Sequence, residues 1–357
     1  MNNGMDMRAP DSMTLTESPA PPPDVTVAVA IDVSLIIVSF NTCRVLRESL
    51  QSVEREKGNL QIEIFVVDNN SHDGSVAMVQ AEFPHVRVLC SDVNLGFGAA
   101  NNLALEIARG RHIVLLNSDA FLCPNALTLA VQYMDAEPLV GLAGGRLVGR
   151  DMSGQPSARM FPSIWFDFLT LTGLADKFSK SRLFGAFDRT WADTLEPAEV
   201  DWVPGAFSII RTSALHKVGY FDPIFFLYSE EVDLCRRIQQ AGYKIMYWPD
   251  ILVIHIGGES SRQIKTLEMS SSGAQLIRWR MRSTLLYYRK HHGSAAWLCK
   301  VVEKAIYQLT VLRNSLSSDP IRQERARHHR NLSRLMDQAW ADTSGGRVSP
   351  PRPWKFD

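Results

Sequence analysis

Short, mainly apolar runs recur through the first half of the chain, and helix-length segments separate them. They are Val33 to Ser39, Ile62 to Val67, Val86 to Cys90 and Ile113 to Leu116. A strand with one wet face alternates apolar and polar residues, whereas an unbroken run is buried on both faces, as in a parallel sheet covered by helices. The order strand, helix, strand, helix therefore predicts an α/β fold with a mainly parallel central sheet and right-handed crossovers. Further strands are expected at Phe207 to Arg211 and Lys244 to Trp248, with a helix from about Glu230 to Ala241 between them. From Gln275 onward the pattern turns helical and basic.

Composition narrows the function classes. The chain has 357 residues, 45% of them hydrophobic, enough to bury a full core. Its 38 basic residues balance 38 acidic ones, so no global field argues for nucleic acid as a partner. The five cysteines, at 43, 90, 123, 235 and 299, form no CxxC pair and read as free thiols in a reducing compartment. The longest apolar stretch, Val25 to Phe40, is interrupted by Asp32 and falls short of the roughly 20 residues of a membrane span. These features lead us to expect a cytoplasmic protein. Residues 1–31 hold the run Pro19 to Pro23 and read as a disordered Pro-rich tail, 32–274 as the main domain, 275–342 as a basic helical extension and 343–357 as a second disordered tail.

In an open α/β sheet the ligand crevice lies beyond the carboxyl ends of the strands. Here those ends are polar: Ser39-Phe40-Asn41-Thr42, Asp68-Asn69-Asn70-Ser71, Asn94-Leu95-Gly96-Phe97-Gly98 and Asn117-Ser118-Asp119. Any one of them reads first as a turn or a helix cap; four on one sheet edge point to a ligand site. A dinucleotide fingerprint needs GxGxxG directly after the first strand, where this chain has Ser39 to Arg44 and no glycine. The residues suit a nucleotide diphosphate held through a metal. Asp68 would accept hydrogen bonds from a base or ribose, and Asp119 would ligate Mg²⁺ or Mn²⁺ at the phosphates.

In the second half, Phe221 to Arg237 sets Glu230, Glu231 and Asp233 at the start of a helix behind an aromatic run. Acids in a first helical turn, after a Ser able to cap, also favour the helix dipole without catalytic duty. His255 ends an apolar strand before Gly257-Gly258, where it reads as a structural residue or a metal ligand.

Taken in order, these motifs resemble the family 2 glycosyltransferases of the GT-A fold, in particular the bacterial rhamnosyl- and galactofuranosyltransferase-like branch, over roughly Val33 to His292. The resemblance implies a GT-A (nucleotide-diphospho-sugar transferase) domain with a C-terminal helical extension. It implies a donor site drawn from Ser39, Asn41, Asp68, Asn70, Asn94, Gly96, Gly98 and Asn117, with Trp202 and Gly205 of Asp201 to Ala206 flooring the sugar. Asn117-Ser118-Asp119 matches the DxD metal motif with Asn in the first place, so Asp119 and His255 are the implied ligands of Mg²⁺ or Mn²⁺. Glu230-Glu231-Val232-Asp233 matches the Glu-Asp-Val-Asp segment, making Glu231 the implied general base with Glu230 and Asp233 in support. The implied reaction is inverting transfer from a nucleotide-diphosphate sugar, with rhamnose from dTDP-rhamnose the leading donor. Its acceptor is a hydroxyl of a cell-surface glycan or lipid-linked glycan. Because Asn117 and Glu231 depart from the common pattern, a catalytically inactive nucleotide-sugar-binding or scaffold protein of the same fold stays open.

The C-terminal extension carries thirteen Lys or Arg against four acids between Leu276 and Gln338. Leu298, Val301, Val302, Ala305, Leu309, Leu312 and Leu316 fall on one helical stripe. Two readings fit: peripheral contact with an anionic membrane surface, or packing on the catalytic domain.

Overall fold

The computed structural model describes residues 30–257 and 274–349. Nearly all of the proposed first tail and the end of the second lie outside these residues. From Ile31 on, the described residues form one compact unit. In chain order they run β1 (Val33–Ser39), α1 (Cys43–Glu56), β2 (Ile62–Asp68), α2 (Ser75–Glu82), β3 (Arg87–Cys90), α3 (Phe97–Leu105), β4 (His112–Asn117), β5 (Ala120–Leu122), α4 (Ala126–Ala136) and β6 (Val140–Val148). Then follow α5 (Ile164–Thr172), α6 (Leu174–Lys177), β7 (Ala198–Glu199), β8 (Phe207–Arg211), α7 (Thr212–Val218), α8 (Glu230–Gln240), β9 (Lys244–His255), α9 (Ala274–His292), α10 (Ala295–Ser315) and α11 (Pro320–Asp342).

The strands make one sheet in the order β3-β2-β1-β4-β8-β6-β9-β5, with β7 added on β9. Its first four strands are parallel throughout, and β6 and β9 pair parallel as well. The sheet is nevertheless mixed, because β8 runs against both β4 and β6, and β5 and β7 run against β9. The apolar runs of β1, β2 and β4 are explained by burial on both faces. Val33, Leu35, Ile37, Ile64 and Val66 pack with Leu46 and Leu50 of α1 and Leu127 and Val131 of α4. Their neighbours Ile36, Phe65 and Val67 face the opposite side, with Ala100 of α3, Leu234 and Ile238 of α8 and Leu286 of α9.

The last strand is longer than the sequence suggested. It was expected to end at Trp248, and Pro249, which follows, cannot donate to the ladder. Instead β9 bulges: Gly145 pairs with Trp248, the next β6 residue, Arg146, pairs with Leu252, and the chain runs on to His255. A Cβ on Gly145 would stand 2.2 Å from the carbonyl oxygen of Ile251, so the bulge requires glycine there. Its consequence is functional, because it carries His255 into pairing with Ala120, next to Asp119.

Helices α9 to α11 pack around Met281, Leu285, Tyr307, Met336 and Ala339. The stripe singled out on α10 is not packed inward. Leu298, Val301, Leu309, Leu312 and Leu316 are exposed, while Cys299, Glu303, Tyr307 and Asn314 occupy the buried face. Residues 343–349, expected to begin a disordered tail, fold back on α9 as far as they are described. Thr343 is fully buried, Arg289 Nε donates to Gly345 O at 3.1 Å, and Gly346 lies so close to Leu285 O that no Cβ would fit.

Candidate active site

The parallel register brings the predicted strand ends to one edge: Ser39 pairs with Asp68, Asp68 with Cys90, and Val38 with Asn117. Asp68 is buried, and its Oδ2 accepts from Ser71 N at 2.9 Å. Its Oδ1 is buried without a hydrogen-bond partner. Such an orphan acceptor costs about 1–3 kcal/mol unless a ligand supplies a donor. This suits the N–H or O–H groups of a nucleoside.

Several residues predicted to touch the donor brace the loops at this edge. Ser39 is fully buried, with its hydroxyl 3.0 Å from that of Thr42. Asn41 Oδ1 accepts from His72 N, and Asn41 N donates to Ser71 Oγ, which ties the ends of β1 and β2 together. Asn94 Oδ1 accepts from Asn69 Nδ2 and Gly96 N. Asn70 holds a left-handed turn at φ 70°. Protein packing requires glycine at 96 and leaves little room beyond it at 98. A Cβ on Gly96 would stand 1.9 Å from Phe226 O, and one on Gly98 would meet Phe221 and Glu230. The bond from Phe97 N to Phe226 O completes this join between the donor loop and the segment before α8.

At the position expected to hold a metal, Asp119 Oδ1 and His255 Nε2 face each other at 3.5 Å. Gln155, which sequence reasoning missed, fixes the imidazole. Its Nε2 donates to His255 O at 2.7 Å, so its Oε1, 2.9 Å from His255 Nδ1, must accept the proton of that nitrogen. In the neutral imidazole the lone pair of His255 then lies on Nε2, turned toward a carboxylate oxygen, the donor set of a cation site with an oriented imidazole. Asn117 Nδ2 reaches Nε2 only at 3.4 Å. Among the described residues there is no cluster of three or more His, Cys, Asp or Glu that could hold a metal.

The acids of α8 divide into two groups. Ser229 makes no capping bond, so a merely capped helix start is not what is observed. Tyr228 and Ser229 are both left-handed, at φ 71° and 67°, a conformation costing about 1–3 kcal/mol at each non-glycine residue. The turn presents Glu231 to a cavity of about 340 Å³ that is also lined by Arg159, Phe187, Trp202, Tyr287 and Arg280. Glu231 Oε2 is buried with no hydrogen-bond partner, as is Glu230 Oε2. Burial pushes the Glu231 carboxyl above the ordinary glutamate range, and Glu230 is pushed well above it by burial and by the neighbouring Glu231 charge. Trp202 is nearly buried and donates to Met160 O, with the Arg159 guanidinium 4.6 Å from its ring centre. It borders the cavity, whereas Gly205 packs against Phe97.

Asp233 does not join Glu231. It is fully buried, with Oδ2 2.9 Å from Arg237 Nε and Oδ1 2.6 Å from Lys290 Nζ and 2.7 Å from His291 Nε2. Although burial alone would raise its pKa, hydrogen bonds from His291 and Lys290 and the Arg237 charge hold it at about 2. Asp233, expected to support Glu231, fastens α8 to α9 and does not line the cavity.

A mixed α/β sheet with an acceptor-lined strand edge, a His–Asp pair and a partly buried glutamate beside a cavity defines a GT-A glycosyltransferase fold with C-terminal helices. The mannosyltransferase PcManGT from Pyrobaculum calidifontis, solved with GDP-Man and Mn²⁺, shares this fold at TM-score 0.51 and 15% identity, covering 89% of each chain. Residues 34–195 match the family described as Glycosyl transferase family 2. That match includes Asp68 and Asp119 and ends before Trp202, Glu231 and His255.

Two relatives extend the similarity. The N-acetylglucosaminyl-diphospho-decaprenol L-rhamnosyltransferase of Mycobacterium tuberculosis is 29% identical over 54% of this chain and 66% of its own length, just under two thirds. The rhamnosyltransferase WbbL of Escherichia coli is 24% identical over 71% of this chain and 92% of its own.

Proposed function

We propose that this chain is an inverting, metal-assisted glycosyltransferase that moves rhamnose from a dTDP-rhamnose-type donor to a hydroxyl of a lipid-linked cell-surface glycan. In this reading residues 32–274 form the catalytic domain and 275–342 its helical extension. The observation that carries it is the Glu231 carboxylate: one oxygen is buried and unpartnered, and the side chain opens on a cavity bordered by aromatic rings. A base must be free to receive a proton, and a raised pKa makes this carboxylate a stronger one. The rhamnosyltransferase relatives support the donor sugar, and the diphospho-decaprenol in one of their names supports a lipid-linked acceptor.

In the reaction, Glu231 takes the proton of the acceptor hydroxyl as its oxygen attacks the anomeric carbon and the bond to the nucleotide diphosphate breaks. A single displacement inverts that carbon, and no protein nucleophile is needed. Asp68 Oδ1 receives a donor from the nucleoside. Asp119 and His255 would hold Mg²⁺ or Mn²⁺, which when bound neutralises charge on the leaving diphosphate. Trp202 and Phe187 wall the cavity with apolar surface suited to a sugar face.

Glu231→Gln should lower turnover by about 10²–10⁴-fold with both substrates saturating, while nucleotide-sugar binding persists in a thermal-shift assay. In the wild type, activity should fall as pH drops through the Glu231 pKa, placing the acid limb above the ordinary glutamate value of 4.5. Near wild-type turnover in the Gln variant removes Glu231 from the base role.

A further inference from the structure

Helix α10 is amphipathic in the reverse sense. Its inner face carries polar residues, Glu303, Tyr307 and Asn314, all buried, and Glu303 and Tyr307 border the same cavity as Glu231. Its outer face carries Leu298, Val301, Leu309, Leu312 and Leu316, spaced three, eight, three and four residues apart, so that they fall on one stripe. Leu309, Leu312 and Leu316 are 66%, 63% and 89% exposed, and Ile321 at the start of α11 is 72% exposed. Among the described residues nothing covers them. Folding alone would put leucines inward and the glutamate outward, so an apolar outer stripe marks a contact made elsewhere.

The surroundings of the stripe select its partner. Between α10 and α11 runs a groove of about 410 Å³ lined by Val311, Leu312, Ser315, Arg330, Ser333 and Arg334, without an acid. Arg313, which follows Leu312, and Arg325, Arg330 and Arg334 have no ion-pair partner among the described residues, whereas Lys300, Lys304, Arg322 and Arg327 do. A second copy docked by the same stripe would bring arginine against arginine across a two-fold axis. A leucine stripe bordered by unpaired guanidinium groups matches a surface with apolar depth and anionic headgroups. No described helix is long and apolar enough to cross a bilayer. α10 suits a position in the interfacial plane.

We infer that the outer face of α10, with Arg313, Arg330 and Arg334, docks the protein on an anionic lipid bilayer. The inner face of the same helix then holds the cavity beside Glu231 within roughly one helix diameter, about 10 Å, of the lipid surface. This goes beyond the transfer reading and does not depend on it, since the stripe and the arginines are separate from the catalytic acid.

The test uses the full chain and sedimentation with vesicles of phosphatidylcholine alone or mixed equally with phosphatidylglycerol. Wild type should sediment with the mixed vesicles, be released by raised salt, and bind phosphatidylcholine alone much more weakly. Leu309→Glu/Leu312→Glu and Arg330→Glu/Arg334→Glu should each weaken binding at least roughly tenfold with an unchanged thermal melt, these side chains being exposed. Glu231→Gln should bind vesicles like wild type, so loss of transfer and loss of docking are read separately. The inference is overturned if wild type stays in solution with mixed vesicles at low salt, if salt and lipid charge make no difference, or if both double variants bind as tightly as wild type. A dimer in sedimentation equilibrium that Leu309→Glu/Leu312→Glu dissolves, without vesicle binding, would assign the face to a second copy instead.

Discussion

Replacing Asp233 with Asn separates anchoring from catalysis within the acidic turn of α8. The carboxylate is fully buried and meets three donors, Arg237, Lys290 and His291. Its pKa of about 2, against an ordinary 3.8, corresponds to about 2 kcal/mol of stability at neutral pH. Removing one member of a buried ion cluster also strands its partners, which raises the expected loss to about 3–5 kcal/mol. Because the folded pKa is depressed, this stabilisation is fully present above pH 3.8 and is lost as pH falls through about 2. Urea unfolding at a series of pH values should therefore show Asp233→Asn with a lower midpoint at pH 7, and the gap to wild type should narrow in strong acid. Turnover per folded molecule should persist under conditions where the variant is folded. An unchanged midpoint at pH 7 would refute the anchoring account, as would a variant of wild-type stability that had lost turnover.

Two further outcomes follow from the loops and the imidazole. Gln155→Leu removes the acceptor that holds the proton on His255 Nδ1, so the stabilisation by Mn²⁺ in a thermal melt with a nucleoside diphosphate should weaken about 10–100-fold in metal affinity, as for an outer partner of a metal-bound histidine. An unaltered Mn²⁺ titration would show that Gln155 does not orient the ligand. Gly96→Ala should destabilise the fold by at least about 3 kcal/mol, since the backbone at φ 81° and the contact with Phe226 O both exclude a Cβ. Calorimetry giving a wild-type melting temperature would contradict that geometry.

The parts of this protein legible in the sequence are those governed by local periodicity and by the ends of strands. β1 and β8 fall where the apolar runs put them, because burial on both faces leaves a continuous signature. Asp68, Asp119 and Glu231 could be singled out because each follows a run or opens a helix. The role of Asp233 was not legible, since Lys290 and His291 lie more than 50 residues away and only tertiary packing brings them to it. Gln155 is 100 residues from His255 and sits in a loop of ordinary composition, so no local signal marks it. On α10 the stripe was visible, but its direction was not: a helical period shows which residues share a face and does not say whether that face meets protein or solvent.

Where the two halves of the site join, the glycines acquire a meaning different from the usual one for a glycine-rich loop. Such loops are commonly glycine-rich so that backbone can approach a phosphate. Here the close approach is to protein: Gly96 lies against Phe226 O, Gly98 against Phe221 and Glu230, and Gly205 against Phe97. The loop after β3, the segment 201–206 and the turn before α8 are thereby packed as one layer, to which Asn117 is also tied through its N–H bond to Ala206 O. Asn117 reaches in turn toward His255. A continuous set of contacts thus connects the imidazole facing Asp119 to the turn that presents Glu231, although the two lie on different strands and helices. In the proposed displacement, which needs the leaving diphosphate and the acceptor hydroxyl on opposite sides of one carbon, this packed layer would keep the two ends of the reaction in register.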